Sequence, residues 1–196
     1  MPVEPPTMPE LWILRHGETD WNAEERLQGR LDSPLTSRGL DQARAQGRIL
    51  AACLPGRVRV IASPAPRALR TARLALDGLG LTIETDERLL ELDLGRWAGR
   101  TLTDLRTESP DLRKATDPHL WKFLAPGGET LGQMAGRVRP VLAGLHEPTV
   151  IVTHGVTSRL LRCMVLGRPL TDLSIVPGGQ GNVHHIRNGK ARVLTG

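Results

Sequence analysis

Tyrosine is absent from this 196-residue sequence, phenylalanine occurs once, and lysine occurs only at positions 114, 122 and 190. So few rings leave little for nucleobases to stack on, and the arginines that carry the positive charge are spread rather than clustered. Both features argue against a nucleic-acid or polyanion binding module, the alternative that a net charge of +5 raises. An arginine-rich balance favours bidentate recognition of phosphate or carboxylate instead. Cys53 and Cys163 are too few and too far apart for a disulfide framework and sit in no CxxC pair, which points to a cytoplasmic protein. No run of about 18 apolar residues is present to span a membrane. Residues 1–9 are short, proline-rich and acidic, unlike a signal peptide, and read as a flexible tail. Residues 10–196 are of a length that one domain accommodates. The histidines form no HExxH or similarly spaced ligand set, so no metal is expected, and no organic cofactor either. Pro177-Gly178-Gly179-Gln180-Gly181 lacks the Lys-Ser/Thr of a P-loop.

The apolar run Leu11 to Leu14 stops abruptly at Arg15-His16-Gly17, the pattern of a buried strand opening into a polar loop. Leu40, Ala43, Gly47, Leu50 and Leu54 recur at helical spacing up to Pro55-Gly56. Val58 to Ala62 and Leu81 to Thr85 read as strands around a helix from Pro66 to about Leu76. A short helix follows Thr101 and ends near Glu108-Ser109-Pro110, with Thr101 and Asp104 in a capping arrangement. Asp117 to Gly128 is read as an irregular excursion anchored by Trp121 and Phe123. Thr130 to Leu145 predicts a helix, Thr149 to Thr153 a buried strand, and Val156 to Leu166 a final helix. Val183 to Arg187 and Lys190 to Leu194 flank Asn188-Gly189, a strong hairpin signal. This order predicts a three-layer α/β/α fold around a mainly parallel sheet.

Arg15 and His16 follow the first strand, Arg67 the second, Glu91 the third, and His154-Gly155 the Thr149 to Thr153 strand. A parallel sheet gathers such positions at one edge. Together they suit phosphoryl transfer. A neutral imidazole can attack phosphorus, cations and hydrogen-bond donors stabilise the phosphoryl oxygens, and a carboxyl group can protonate the leaving oxygen. His16 must then be neutral, whereas His154 is more useful protonated.

Leu14 to Asn22 resembles the signature of the histidine phosphatase superfamily, which includes cofactor-dependent phosphoglycerate mutases and many small phosphatases. The resemblance continues through Arg30 to Thr36, Ser63 to Ala68, Glu91 to Gly99, Gly127 to Thr130 and Thr153 to Gly155. It implies a phosphoglycerate mutase-like fold and one catalytic domain over residues 10–196. It makes His16 the phosphoryl acceptor, Arg15, Arg67 and His154 the rest of the phosphate pocket, and Glu91 the acid. Asn22, Gln28, Gly29 and Gly155 fall at substrate-binding positions, and Thr157 lies nearby. Ala98 departs from the acidic residue that relatives often carry there.

The expected activity is hydrolysis of a phosphomonoester, with cofactor-dependent phosphoglycerate mutase as the alternative. The resemblance implies that dedicated mutases carry a longer insertion between the Glu91 and Gly127 motifs than this sequence has. The expected partner is a small phosphorylated metabolite, without nucleic acid or membrane; a homodimer is compatible with the sequence, which leaves the oligomeric state open. Arg106 and Arg113 could meet an anionic substrate or face solvent. Trp97 and Trp121 read as core or lid anchors. His184 and His185 alternate faces on a strand, so at most one can face a ligand.

Overall fold

The computed structural model describes residues 8–108, 112 and 117–196. Most of the expected tail, the Ser109-Pro110 end of the short helix, and Arg113 lie outside the described residues. Six strands form one sheet: β1 (Leu11–Arg15), β2 (Arg59–Ala62), β3 (Ile83–Thr85), β4 (Thr149–Thr153), β5 (Val183–Arg187) and β6 (Lys190–Leu194), in the order β3-β2-β4-β1-β5-β6. β1 is parallel to β4, β4 to β2 and β2 to β3, while β5 runs antiparallel to β1 and to β6. Asn188 and Gly189 both have positive φ, 51° and 68°, as the two-residue turn from β5 to β6 requires. β3 starts at Ile83 rather than Leu81 because its pairing with β2 begins at Val60 and Ile83.

The helices are α1 (Asp20–Ala23), α2 (Ser37–Cys53), α3 (Pro66–Ala75), α4 (Leu102–Glu108), α5 (Leu131–Ala143) and α6 (Gly155–Val165). Their starts are written in the sequence. Thr36 caps α2 through the Gly39 N–H, Pro66 occupies the first turn of α3, and Thr130 with Gln133 forms a capping box on α5. The sequence reading missed α1, a single turn closed by the Thr19 and Asn22 capping box and too short to show a period. Asp104 N–H donates to Thr101 Oγ1 at 3.1 Å, as the capping arrangement predicted.

Side-chain alternation divides the interior. Leu11, Ile13 and Ile151 face one core with Met134 and Val138 of α5 and Leu160 of α6. Trp12, Leu14, Val150 and Val152 face the other, with Ile49 and Leu50 of α2 and Ala72 and Ala75 of α3. Helices therefore cover both faces of the sheet. The chain leaves β1 toward the α2 face and β4 toward the α6 face, so the carboxyl ends of these two neighbours border the crevice where open α/β sheets bind ligands. No helix among the described residues is long and apolar enough to cross a membrane.

Candidate active site

His16 and His154 each follow directly on the carboxyl end of one of these strands, and the His16 N–H donates to Thr153 O at 2.9 Å, stitching the two loops together. Both imidazoles are buried, and their rings meet edge to face with centroids 5.2 Å apart. The Nδ1–H of His16 donates to its neighbour's carbonyl, Gly17 O, at 2.7 Å, which leaves the lone pair on Nε2. Arg67 Nε donates to that lone pair at 3.3 Å. Burial, then the neighbouring His154, Arg15 and Arg67, hold the His16 pKa well below its ordinary value. The expectation of a neutral His16 is therefore matched by its surroundings.

Arg67, in the first turn of α3, is held from every side. Its Nη1 donates to Leu31 O and Asp32 Oδ1, both at 2.8 Å, and its Nη2 to Gly29 O at 2.8 Å. Gly29 adopts a left-handed φ of 54° to turn that carbonyl inward. At Gly17 a Cβ would lie 2.2 Å from Gly39 O, where the loop crosses the start of α2, so the backbone crossing requires glycine.

Glu91 sits against the N-terminal turn of α6. Its Oε2 accepts from Val156 N–H at 3.0 Å, and its Oε1 from Leu92 N–H, Thr157 N–H and Thr157 Oγ1 at 3.0 to 3.1 Å. Burial pushes its pKa up, but these donors outweigh burial and leave it below the usual carboxylate value. The Glu129 carboxylate supports the arrangement by gripping Arg137, whose Nη2 reaches Glu91 O at 3.2 Å. His154 differs from expectation. Burial, then Arg67, Arg15 and Arg137, keep its pKa well below the ordinary value and so oppose the protonated form. A 2.7 Å hydrogen bond joins its Nε2 to the Ser63 hydroxyl. His154 Nδ1 and Arg15 Nε are buried without a hydrogen-bond partner. Buried polar nitrogens left free beside a nucleophilic one mark a place for a ligand.

A cavity of about 100 Å³ is lined by Arg15, His16, Asn22, Gln28, Gly29, Arg67 and Glu91 among others, so it gathers seven of the nine predicted site residues. Gly155 lines an adjoining cavity with Arg15 and Glu91. His154 completes the set through its ring contact with His16. Asn22 Oδ1 accepts from Thr19 N–H and Gln180 Nε2, so its amide nitrogen is the donor left for a ligand. Gln28 is more committed than expected: its Nε2 donates to Thr19 Oγ1 and Ser33 Oγ, and it shapes the wall. Among the described residues no cluster of His, Cys, Asp or Glu could hold a metal ion.

Known proteins with the same architecture now place the chain. A profile of the histidine phosphatase superfamily (branch 1) matches residues 11–193. The chain belongs to that superfamily. A protein of Salmonella paratyphi C (strain RKS4594) named probable phosphoglycerate mutase GpmB is 35% identical over 167 residues, covering 83% of this chain and 77% of the relative. The mycobacterial glucosyl-3-phosphoglycerate phosphatase, solved as a VO3 complex, superposes with a TM-score of 0.81 at 31% identity over 96% of this chain and 97% of that one. The α-ribazole phosphatase of Shigella flexneri gives 0.79 at 28% identity over 95% and 96%.

The site also contains residues that the sequence reading passed over. Gln180, in the glycine-rich loop before β5, donates to His16 O and Asn22 Oδ1 at 3.1 Å and so ties that loop to the site. Ser63 orients His154, and the Thr71 hydroxyl accepts the Gly17 N–H at 3.0 Å. Only Ser63 stood inside a recognised motif. His184 is buried and lines the adjoining cavity, whereas His185 stacks on Trp12 and pairs with Glu10. Trp97 and Trp121 pack on each other, their centroids 5.7 Å apart, as anchors.

Proposed function

We propose that the protein is a phosphomonoesterase that passes the phosphoryl group of a small phosphorylated metabolite to Nε2 of His16 and then to water. The observation that carries this reading is the fixed tautomer of His16: its lone pair points to the side of Arg67, next to the unpartnered nitrogens of Arg15 and His154. As the nitrogen–phosphorus bond forms and the phosphorus–oxygen bond to the alcohol breaks, Arg67, Arg15, His154 and the Asn22 amide take the phosphoryl oxygens. Glu91 protonates the departing alkoxide and later removes a proton from the attacking water. A bound phosphoryl dianion would provide the negative charge that raises the Glu91 pKa toward that role. The two unpaired thiols, exposed Cys53 and buried Cys163, suit a reducing cytoplasm.

The resemblance to a protein named phosphoglycerate mutase favours a second reading, in which the phosphohistidine returns its group to an alcohol. A mutase must retain and turn a bisphosphorylated intermediate while excluding water. The short stretch between Leu92 and Pro126 argues for water as the main acceptor. Supplying 3-phosphoglycerate with catalytic 2,3-bisphosphoglycerate decides between them. We expect inorganic phosphate with little 2-phosphoglycerate; isomer formed much faster than phosphate would make the protein a mutase.

A further inference from the structure

Away from the reacting residues, a groove of about 190 Å³ lies between the end of α6, the segment Ile175 to Pro177 and the β5–β6 hairpin. None of Arg15, His16, Arg67, Glu91 and His154 lines it. Its apolar part is built from Leu166, Ile175, Val176, Pro177, Ala191 and Val193. His184 and Val193 pair across β5 and β6, so both side chains stand on the face of the hairpin that borders the groove. Ile175 is 61% exposed and Val193 39%, two of five large apolar side chains left exposed among the described residues. Isolated apolar side chains on a surface need no explanation, but these two meet at one groove.

The rest of the lining is basic. Arg162, Arg168, Arg192 and His184 border the groove and no carboxylate does. Asp172, the single acidic residue between Arg159 and His184 in the sequence, is not part of the lining. Among the described residues none of these three arginines is in an ion pair. Arg162 is 2% exposed. Its Nε donates to Ser158 O at 3.1 Å, and its Nη1 to Pro177 O at 2.6 Å and to His184 Nδ1 at 3.2 Å. These acceptors fix the guanidinium without neutralising it. Burial, then the nearby Arg159, brings its pKa down to about 10. A buried cation without a counter-charge is costly, and an anion that reaches it offsets part of that cost. Arg168 is exposed and follows Gly167, whose φ of 63° turns the chain out of α6 beside the same groove.

We propose that this groove is a binding site for a small amphipathic carboxylate, whose short alkyl chain lies on Ile175, Val193 and Leu166 while its carboxylate meets Arg162 and Arg168. The inference is independent of the phosphatase reading, since the groove shares no reacting residue with the His16 cavity. An apolar cavity with a few polar groups suits a ligand that is apolar along its length and charged at one end. A guanidinium fork matches a carboxylate in shape as well as charge. The volume is below the roughly 300 to 1,000 Å³ of sites for drug-sized ligands, which sets the chain as a short one. Charge complementarity selects an anion over a neutral chain, and the apolar lining selects a chain over a bare inorganic ion.

Isothermal titration calorimetry of hexanoate into the full chain tests this, with inorganic phosphate present to compete at the His16 pocket. Acetate carries the charge without the chain, and hexanol the chain without the charge. Hexanoate should bind saturably with a Kd at least five-fold below that of either control, and with a negative heat-capacity change from burial of its chain. Arg162 is buried and holds Pro177, so the variants are placed at exposed positions instead. Arg168→Gln and Ile175→Ser should each raise the hexanoate Kd at least three-fold while nitrophenyl phosphate turnover and Tm stay at wild-type values. Equal affinity for hexanoate and acetate would make the groove a plain anion site, and equal affinity for hexanoate and hexanol an apolar crevice in which the arginines play no part. Either result overturns the inference, as does the absence of saturable hexanoate binding or binding that both variants retain. Failure of the wild-type protein to hydrolyse a nitrophenyl phosphate would count against the phosphatase reading alone.

Discussion

The two adjoining cavities are built from the same α/β edge, yet their charges are treated in opposite ways. Around His16, the guanidinium of Arg67 is neutralised by Asp32 and locked by the Gly29 and Leu31 carbonyls. The imidazole is locked by Gly17 O, and the Glu91 carboxylate by the turn of α6. In the adjoining cavity, Arg159 and Arg162 are held by the Leu173, Val176 and Pro177 carbonyls, and among the described residues neither is in an ion pair. Groups that must keep one geometry through bond making and breaking gain from fixed, preorganised partners. On the proposed function the His16 cavity is the reacting side, and the contrast with its neighbour can be attacked experimentally.

The largest effect belongs to the reacting side. His16→Ala deletes the nitrogen to which the phosphoryl group is bound, and the remaining pocket can only orient water. We expect kcat for a nitrophenyl phosphate to fall by about 10³-fold or more, on the order of 4 kcal/mol of barrier. Circular dichroism and thermal unfolding should remain close to wild type, since Arg67 keeps Leu31 O, Asp32 and Gly29 O as partners. Near-native turnover in a folded His16→Ala protein would remove the distinction between the two cavities altogether.

A smaller effect sharpens the role of Glu91. Glu91→Gln keeps the shape of the side chain but can give no proton to an alkoxide. A nitrophenolate leaves without help, so the variant should lose at least about ten-fold more kcat on an alkyl phosphate than on a nitrophenyl phosphate. Equal losses on the two esters would leave Glu91 as a positioning group for Arg15 and α6, not an acid.

The same contrast explains what was legible in the sequence. Arg15, His16, Arg67, Glu91 and His154 could be picked out because each follows closely on an apolar strand, and because strand order decides which loops meet. Strand and helix order, the Asn188-Gly189 hairpin and the Thr130 helix start were legible for the same local reason. Gln180 was not, since its loop precedes an antiparallel strand and reaches the site only because β5 runs opposite to β1. Nothing in the local sequence sets Arg159 and Arg162 apart. Their burial depends on how the Leu173 to Pro177 carbonyls fold over α6, a tertiary fact with no local signature. The lowered pKa of His154 was not legible for a related reason: the packing that buries it, and the cations around it, come from residues far away in sequence.

The subtlest expected effect concerns the histidines, whose pKa values both cavities lower. Burial first, and the surrounding cations after it, depress His16 and His154 on the reacting side; the same causes bring His119 to about 4 and His184 to about 3 in the adjoining cavity. In the unfolded chain each would accept a proton near pH 6.5. Below that value the unfolded state binds more protons than the folded one, so acid favours unfolding. The sign is fixed by the direction of the shifts. Stability from these groups is fully present above about pH 6.5 and is lost progressively as the pH falls toward the folded values. Each histidine can contribute at most about 1.4 kcal/mol per pH unit in that window. For a chain of this size that corresponds to at most roughly 3 to 6 °C of Tm per pH unit. His184→Gln replaces a depressed imidazole with a group that does not titrate and can still accept from Arg162. Thermal unfolding of both proteins at pH 8, 6.5, 5.5 and 4.5 should therefore show the wild-type Tm falling more steeply below pH 6.5 than that of the variant. Parallel curves would mean that His184 takes up its proton in the folded protein as readily as in the unfolded chain, and that the cations around the adjoining cavity are already neutralised by other means.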